Sequence, residues 1–279
     1  MIQTPLRLSV STWALHDLIA TVAPGRPGDP EARLMPERES GGSLSLLQVP
    51  RELAKRGITT MELCHFHLPE TSARYLEEWA SVREEAGVAL WSLLIDDGDI
   101  NHPELGDRDR AWIIEWLDRA SLLGARCVRI IGGKQPLTDG SLARSIAQLK
   151  ILAMEAYVRG LHVLIENWFA TLSTPEAIQT VMEQTGGSVG LTFDFGNWSG
   201  PGKYDNLAQI AHYAEGCHAK WDSDEDFLRC LEITRAANFS GPYTLVYGEP
   251  GRVWESLEYQ RELLLPYLTS HVQATVYCR

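Results

Sequence analysis

An excess of positive charge is the first thing this sequence lacks: 25 lysines and arginines stand against 37 aspartates and glutamates, for a formal net charge of -12 and a sequence pI near 5.1. Tracking nucleic-acid phosphates needs a basic face, so no nucleic-acid partner is expected. Long apolar runs are also missing, since none approaches the ~18 residues of a membrane-spanning helix. The opening MIQTPLRLSVSTWALHDL has no charged leader followed by an apolar core and a small-residue cleavage site. The expectation is a soluble, cytoplasmic protein with no membrane partner. CxxC pairs are absent as well. Cys64, Cys127, Cys217, Cys230 and Cys278 are odd in number and widely spaced, which argues against a disulfide framework and for reduced residues in the core. Finally, no GxGxxG follows the first strand-like run, so the usual mark of a dinucleotide-binding open sheet is missing.

What the sequence does have is alternation. Strand-length apolar runs recur at 6–11, 58–63, 88–95, 126–131, 161–166, 188–194, 216–220 and 243–247, separated by stretches such as SARYLEEWASVREEAG with apolar residues every three or four positions. Gly57, Gly87, Gly124 and Gly160 sit where a helix ends and a strand begins, a position that favours the left-handed conformation. Eight βα units of 25 to 40 residues predict one α/β domain over residues 1–279, a (β/α)8 TIM barrel. A doubly wound open sheet is the alternative. Residues 20–44, rich in Pro, Gly and charge, read as a long loop after the first strand that can serve as a lid or an oligomer contact.

In such a barrel the C-terminal ends of the strands form the active face, so polar residues there are read first. Glu166 closes LHVLI, Asp194 closes VGLTF, and His218 follows Cys217 in the next strand-like run. They are one βα unit apart and fall on one arc of the rim. Each has a bland reading too, as a helix cap, a turn aspartate or a packed histidine. Together they offer mixed oxygen and nitrogen ligation that suits a divalent metal, Mn, Zn, Co or Mg, without choosing among them.

With GITTMELCHFHLP, LLIDDGDI, ARCVRIIGG, GLHVLIENW, VGLTFDFGNW, CHAKWD and GPYTLVYGEPG in this order, the sequence resembles the xylose-isomerase-like superfamily of sugar isomerases and epimerases, which also holds inosose dehydratases and endonuclease IV-type repair enzymes. The resemblance runs from Leu6 to Leu268. It implies a (β/α)8 barrel, a small-molecule sugar substrate and a divalent metal held by Glu, Asp, His and Glu from four strands. Glu166, Asp194 and His218 match the first three. The fourth position is occupied by Val246, and Glu249 is the nearest acid to replace it. In family epimerases the two glutamates act as an acid and base pair, so this departure opens a dehydratase or lyase reading and a catalytically impaired sugar-binding reading beside isomerisation.

Other residues compete for a role. His65 and His67 end the second run and, if extended, point the same way as candidate bases. Asp96, with Asp97, Asp99 and His102, can bind hydroxyls or simply form a turn. Arg129, Lys134, Asn197 and Lys220 are candidate substrate contacts. Trp13, Trp168 and Trp198 fall near the expected mouth, where aromatic faces meet sugar rings or close the core. A homo-oligomer is possible.

Overall fold

A computed structural model describes residues 8–19 and 42–269. Strands and helices alternate along them: β1 (Leu8–Ser11), α1 (Val49–Lys55), β2 (Thr60–Cys64), α2 (Ala73–Glu85), β3 (Ala89–Leu94), α3 (Gly106–Leu122), β4 (Cys127–Arg129), α4 (Asp139–Tyr157), β5 (His162–Glu166), α5 (Pro175–Thr185), β6 (Val189–Asp194), α6 (Lys203–Ile210), β7 (Ala214–Ala219), α7 (Asp224–Ala236), β8 (Tyr243–Leu245) and α8 (Val253–Thr269). Each strand pairs in parallel with the next, and β8 returns to β1. The expected (β/α)8 barrel is therefore the observed fold, and the open-sheet alternative is excluded by the closure.

The two side-chain parities of the strands separate chemically. Val10, Met61, Leu63, Leu93, Val128, Val163, Leu191 and Phe193 join one hydrophobic cluster with helix residues such as Trp79, Ile113, Leu149 and Ile178. The opposite parity carries buried polar groups, among them Ser9, Thr60, Glu62, Ser92, Arg129, Glu166, Asp194, His218 and Thr244. Because successive side chains on a strand face opposite ways, this second set shares the barrel interior. The fold thus puts its apolar surface against the helices and gathers polar chemistry inside.

The helix ends follow local sequence. Hydroxyls of Ser72, Thr174 and Ser223 accept a backbone N–H in the first turn of α2, α5 and α7, and Thr138 forms a reciprocal cap with Ser141 at α4. All four junction glycines have φ between +69° and +72°. At Gly124 a Cβ would also come within 2.8 Å of Arg83 Nη2, so both the missing side chain and the left-handed backbone are used there.

The insertion expected at 20–44 falls mostly outside the described residues. Its flanks, Ile19 and Leu44, meet in an isolated parallel bridge. Cys64, Cys127, Cys217 and Cys230 are buried and unpaired, while Cys278 lies outside the described residues. Burial pushes the thiols of Cys64, Cys127 and Cys230 up to about 12, so they are neutral core groups. Among the described residues no helix is long and apolar enough to cross a membrane.

Candidate active site

At the C-terminal end of the barrel the interior opens into a cavity of about 180 Å³. Its polar lining comes from Asp96, Arg129, Glu166, Asp194, His218 and Lys220, and its walls from Trp13, Leu94, Trp168 and Val246. Trp13 is 42% exposed and meets Phe66 edge-on at 5.6 Å, which places it at the mouth. Trp168 stands two residues beyond β5, and the Arg129 guanidinium lies over its ring at 5.4 Å. The next residue, Phe169, is held at φ 59° and stacks on it at 4.2 Å. A bulky residue in the left-handed region is uncommon, and here it accompanies the placing of an aromatic wall.

Glu166, Asp194 and His218 converge at the base of the cavity, each buried and each offering one ligand atom within 4.8 Å of the others. His218 Nδ1 lies 3.5 Å from Glu166 Oε1 and 3.7 Å from Asp194 Oδ2. Both carboxylates are oriented by donors. Asp194 Oδ1 accepts the backbone N–H groups of Gly196 and Asn197 at 2.6 and 2.7 Å, leaving Oδ2 toward the histidine. Asn197 donates its side-chain amide to Glu166 Oε1, and Asn167 bridges β5 and β6 through the backbone of Asp194.

The other nitrogen of His218 explains the ring's orientation. Nε2 is 2.8 Å from Oε2 of Glu62, a side chain on β2 with no exposed surface. Since β2 and β7 are not neighbours in the sheet, this hydrogen bond crosses the barrel interior. A carboxylate that accepts the far N–H of an imidazole fixes the tautomer and directs the near lone pair into the cluster. The residue set therefore fits a divalent ion: three buried, convergent oxygen and nitrogen donors and an outer carboxylate behind the histidine.

Electrostatics support the same reading. Burial works to lower the His218 pKa, but the charges of Glu62 and Glu166, with hydrogen bonds to Asp194 and Glu166, hold it well above the ordinary histidine value. Burial likewise works to raise Asp194, and contact with His218, aided by Lys220 and the Gly196 N–H, keeps it below the usual carboxylate range. The cluster attracts a cation even when that cation is only the proton on His218.

Arg129 closes the other side. Its Nη2 donates to Asp96 Oδ1, and its Nε lies 3.1 Å from Glu166 Oε2. The second contact is a charge contact without hydrogen-bond alignment, since both atoms are buried without a hydrogen-bond partner, as is Arg129 Nη1. Burial opposes the charge on Arg129, but Asp96 and Glu166 outweigh it and raise its pKa.

The structure thus brings Trp13, Asp96, Arg129, Glu166, Trp168, Asp194, Asn197, His218 and Lys220 to one cavity. It does not bring the remaining sequence candidates there. Glu249 is exposed and lines a different cleft, because the chain after β8 turns at once toward α8, with Glu249 N–H donating to Ser256 Oγ and its carbonyl accepting from Arg252. Val246 lines the cavity instead. His65 and His67 lie in a 3-10 turn, not an extended segment, so their rings leave the cavity. His65 Nδ1 accepts the Asp96 N–H at 3.3 Å and its ring packs on Trp116 at 5.1 Å. His67 bonds to Thr12 and His16, each at 2.9 Å. Burial lowers their pKa values to about 4 and about 3, so both rings are neutral near pH 7.

Lys134 pairs with Asp97 at 3.4 Å and sits over Phe169, away from the cavity lining. Asp97 and Asp99 hold the loop through Gly98, Lys134 and Gln135, and His102 Nδ1 accepts two N–H groups at the start of α3. Trp198 is buried in the core. Glu62 is the residue that sequence reasoning missed. Attention to polar residues closing strands passed over a glutamate inside one, although an acid in the apolar run ITTMELC was the available signal.

A model of the xylose isomerase-like TIM barrel family matches residues 50–261. The chain belongs to that family. Solved structures agree on the fold. A xylose isomerase-like TIM barrel protein from Mycobacterium smegmatis, in complex with magnesium, superposes with TM-score 0.67 at 15% identity, over 95% of this chain and 97% of that one. An L-ribulose 3-epimerase gives 0.67 at 16%, over 92% and 86%. A 3-keto-D-glucoside 4-epimerase from E. coli gives 0.64 at 17%, over 85% and 96%. At these identities the likeness is one of fold. No curated protein sequence matches the chain.

Proposed function

We propose that the protein is a divalent-metal-dependent isomerase or epimerase acting on a small sugar or sugar derivative by proton transfer beside a carbonyl. The observation that carries this is the buried Glu166, Asp194 and His218 cluster at the base of a cavity walled by Trp13 and Trp168. The presence of sugar epimerases among the structures sharing the fold, one member of which holds magnesium, supports the substrate class and the metal. A bound divalent ion supplies Lewis-acid polarisation of adjacent substrate oxygens, which lowers the cost of breaking the neighbouring C–H bond.

The chain's own residues do the rest. Asp194 and His218 hold the ion-binding corner, and Asn197 fixes Glu166 by its Oε1. Glu166 Oε2, buried and without a hydrogen-bond partner, takes the proton. Lys220, on the cavity lining, places an ammonium where negative charge grows on a substrate oxygen. Trp13 and Trp168 offer faces to the apolar side of the ring. Metal-stripped protein reconstituted with Mn should turn over a ketose or an aldose. A screen showing no turnover with Mn, Mg, Co or Zn would overturn the proposal.

Val246 favours a second reading. With one carboxylate free to accept a proton and an apolar side chain at the position of the expected second acid, proton removal can end in loss of a β-leaving group instead of epimer formation. A dehydratase or lyase releases water or an aglycone from an oxidised sugar or glycoside, and product analysis separates the two reactions.

Two predictions follow from the histidine's surroundings. Replacing Glu62 by Gln keeps the shape but removes the charge behind His218, so metal affinity should weaken by ~10–100-fold with the fold intact by circular dichroism. An unchanged dissociation constant in chelator competition would contradict that role. The pH dependence has a definite sign. His218 must lose its proton before Nδ1 can bind an ion, and its pKa is raised, so apparent affinity should climb with pH by up to about tenfold per unit until that raised pKa is passed. Calorimetry at neutral pH in buffers of different ionisation enthalpy should register proton release on metal uptake; heats independent of the buffer would contradict it. Without metal, the same raised pKa stabilises the fold below the unfolded-state value, and this contribution is lost as pH rises through the folded value.

A further inference from the structure

Beside the first cavity lies a second cleft of about 510 Å³ that the mechanism leaves unused. The two linings are neighbours in the chain: Trp221 follows Lys220 and Tyr247 follows Val246, and Lys220 and Val246 line the first cavity. Trp221, Tyr247 and Tyr259 provide its aromatic surface, and Glu249, Arg252 and Gln260 its polar one. The Trp221 and Tyr247 rings are 5.7 Å apart and tilted by 31°, and Tyr259 meets Trp221 edge-on at 6.5 Å.

Two features mark this cleft as built. Asp224, in the first turn of α7, accepts the Trp221 indole N–H at 2.9 Å and the Tyr259 hydroxyl, so one carboxylate holds two of the three rings in place. Gln260 is 1% exposed; its Nε2 donates to the Tyr247 and Ser256 carbonyls at 2.9 and 3.0 Å, yet its Oε1 is buried without a partner. A buried acceptor left unpaired carries a desolvation penalty. A ligand hydroxyl relieves it.

We propose that this cleft is a second saccharide subsite, so that the substrate is a glycoside or disaccharide whose reacting ring enters the first cavity while its other ring lies on Trp221 and Tyr247. The chemistry selects a neutral polyhydroxylated ring. Fixed aromatic faces suit its C–H surface, Glu249 and Gln260 Oε1 accept from hydroxyls, and Arg252 donates to ring or hydroxyl oxygens. A phosphorylated unit is disfavoured, because among the described residues the cleft lining sets Glu249 and Glu255 beside one cation, Arg252. This assignment rests on the sugar reading of the first cavity, and it gives the exposed Glu249 a role on the substrate instead of on a metal.

Calorimetry and saturation-transfer NMR with neutral disaccharides (cellobiose, maltose, sucrose, trehalose) and their constituent monosaccharides test it on the full chain. At least one disaccharide should bind ~10-fold or more tighter than its monosaccharides, with saturation transfer to both rings. Trp221→Ala should remove that advantage, and Trp221→Phe should retain most of it, which separates a stacking role from loss of fold. Equal affinity for mono- and disaccharides, or an advantage that survives Trp221→Ala in a folded protein, overturns the subsite. Wild-type turnover of monosaccharides reports the first cavity separately, so failure of the second subsite is distinguishable from failure of the sugar reading.

Discussion

Glu166→Gln should lower kcat by ~10²–10⁴-fold at saturating metal, the range expected when a positioned proton acceptor is removed. The amide keeps the size of the side chain and its contact with Asn197, but it cannot carry a proton away from carbon. Because Glu166 also belongs to the cluster proposed to hold the metal, the variant should bind metal more weakly. Measuring turnover across a metal titration separates the two effects: a deficit that vanishes at high metal assigns Glu166 to binding alone, and one that persists assigns it to proton transfer. A kcat within about twofold of wild type at saturating metal would remove Glu166 from the chemistry.

The largest effect on stability is expected at Arg129. It is the buried cation between Asp96 and Glu166, and the side chains of all three are at most 7% exposed. Such a pair is weak evidence for net stabilisation, since burying its charges is costly, but removing one partner strands the others. Arg129→Met should therefore destabilise the metal-free protein by about 3–5 kcal/mol in urea unfolding. The loss should shrink when metal is added, because a bound divalent ion neutralises Glu166 in place of the guanidinium. It should also shrink in the double variant with Asp96→Asn, and the non-additivity gives the coupling between the two residues. A loss below about 1 kcal/mol in the metal-free protein would mean that the pair is solvated and that Arg129 is free to serve the substrate alone.

The barrel was legible in the sequence because each unit repeats the same physical problem. A strand buried on both faces needs an apolar run, a helix over it needs one apolar stripe, and the turn between them needs a glycine such as Gly57 or Gly124. The three clustered residues were legible for a related reason: Glu166, Asp194 and His218 end or interrupt apolar runs, where a charge has no place without a partner. What escaped was set by chain direction after the strands. An extended continuation predicted His65 and His67 facing the cavity, but the 3-10 turn rotates both rings away. A loop long enough to carry Glu249 back toward the metal was equally plausible on paper, yet Ser256 and Arg252 tie it to the start of α8. Glu62 was passed over because its partner, His218, is 156 residues away across the barrel, and no local pattern encodes a contact between non-neighbouring strands.

These corrections also reshape the chemistry. With His65 and His67 neutral in the core, Glu249 in the second cleft and Val246 at the expected position of a second acid, Glu166, whose Oε2 lies 3.1 Å from Arg129 Nε without a hydrogen bond, is the carboxylate proposed to take the substrate proton. In the proposed mechanism Glu166 acting alone moves the proton on one face of the substrate, either to a neighbouring carbon or coupled to loss of a leaving group, whereas epimerisation needs a proton delivered from the opposite face. The fold shared with sugar epimerases does not by itself fix the division of labour here.

The most direct test follows the proton itself. Metal-reconstituted protein is incubated in D2O with a panel of ketoses, aldoses and their glycosides, and the carbon beside the carbonyl is observed by NMR. The proposed mechanism predicts deuterium at that carbon in isomer, epimer or recovered substrate, or its proton lost with the leaving group, with activity abolished by chelation and restored by added metal. Proton exchange that continues undiminished after the metal is removed, or turnover with no cleavage of that C–H bond, would contradict it.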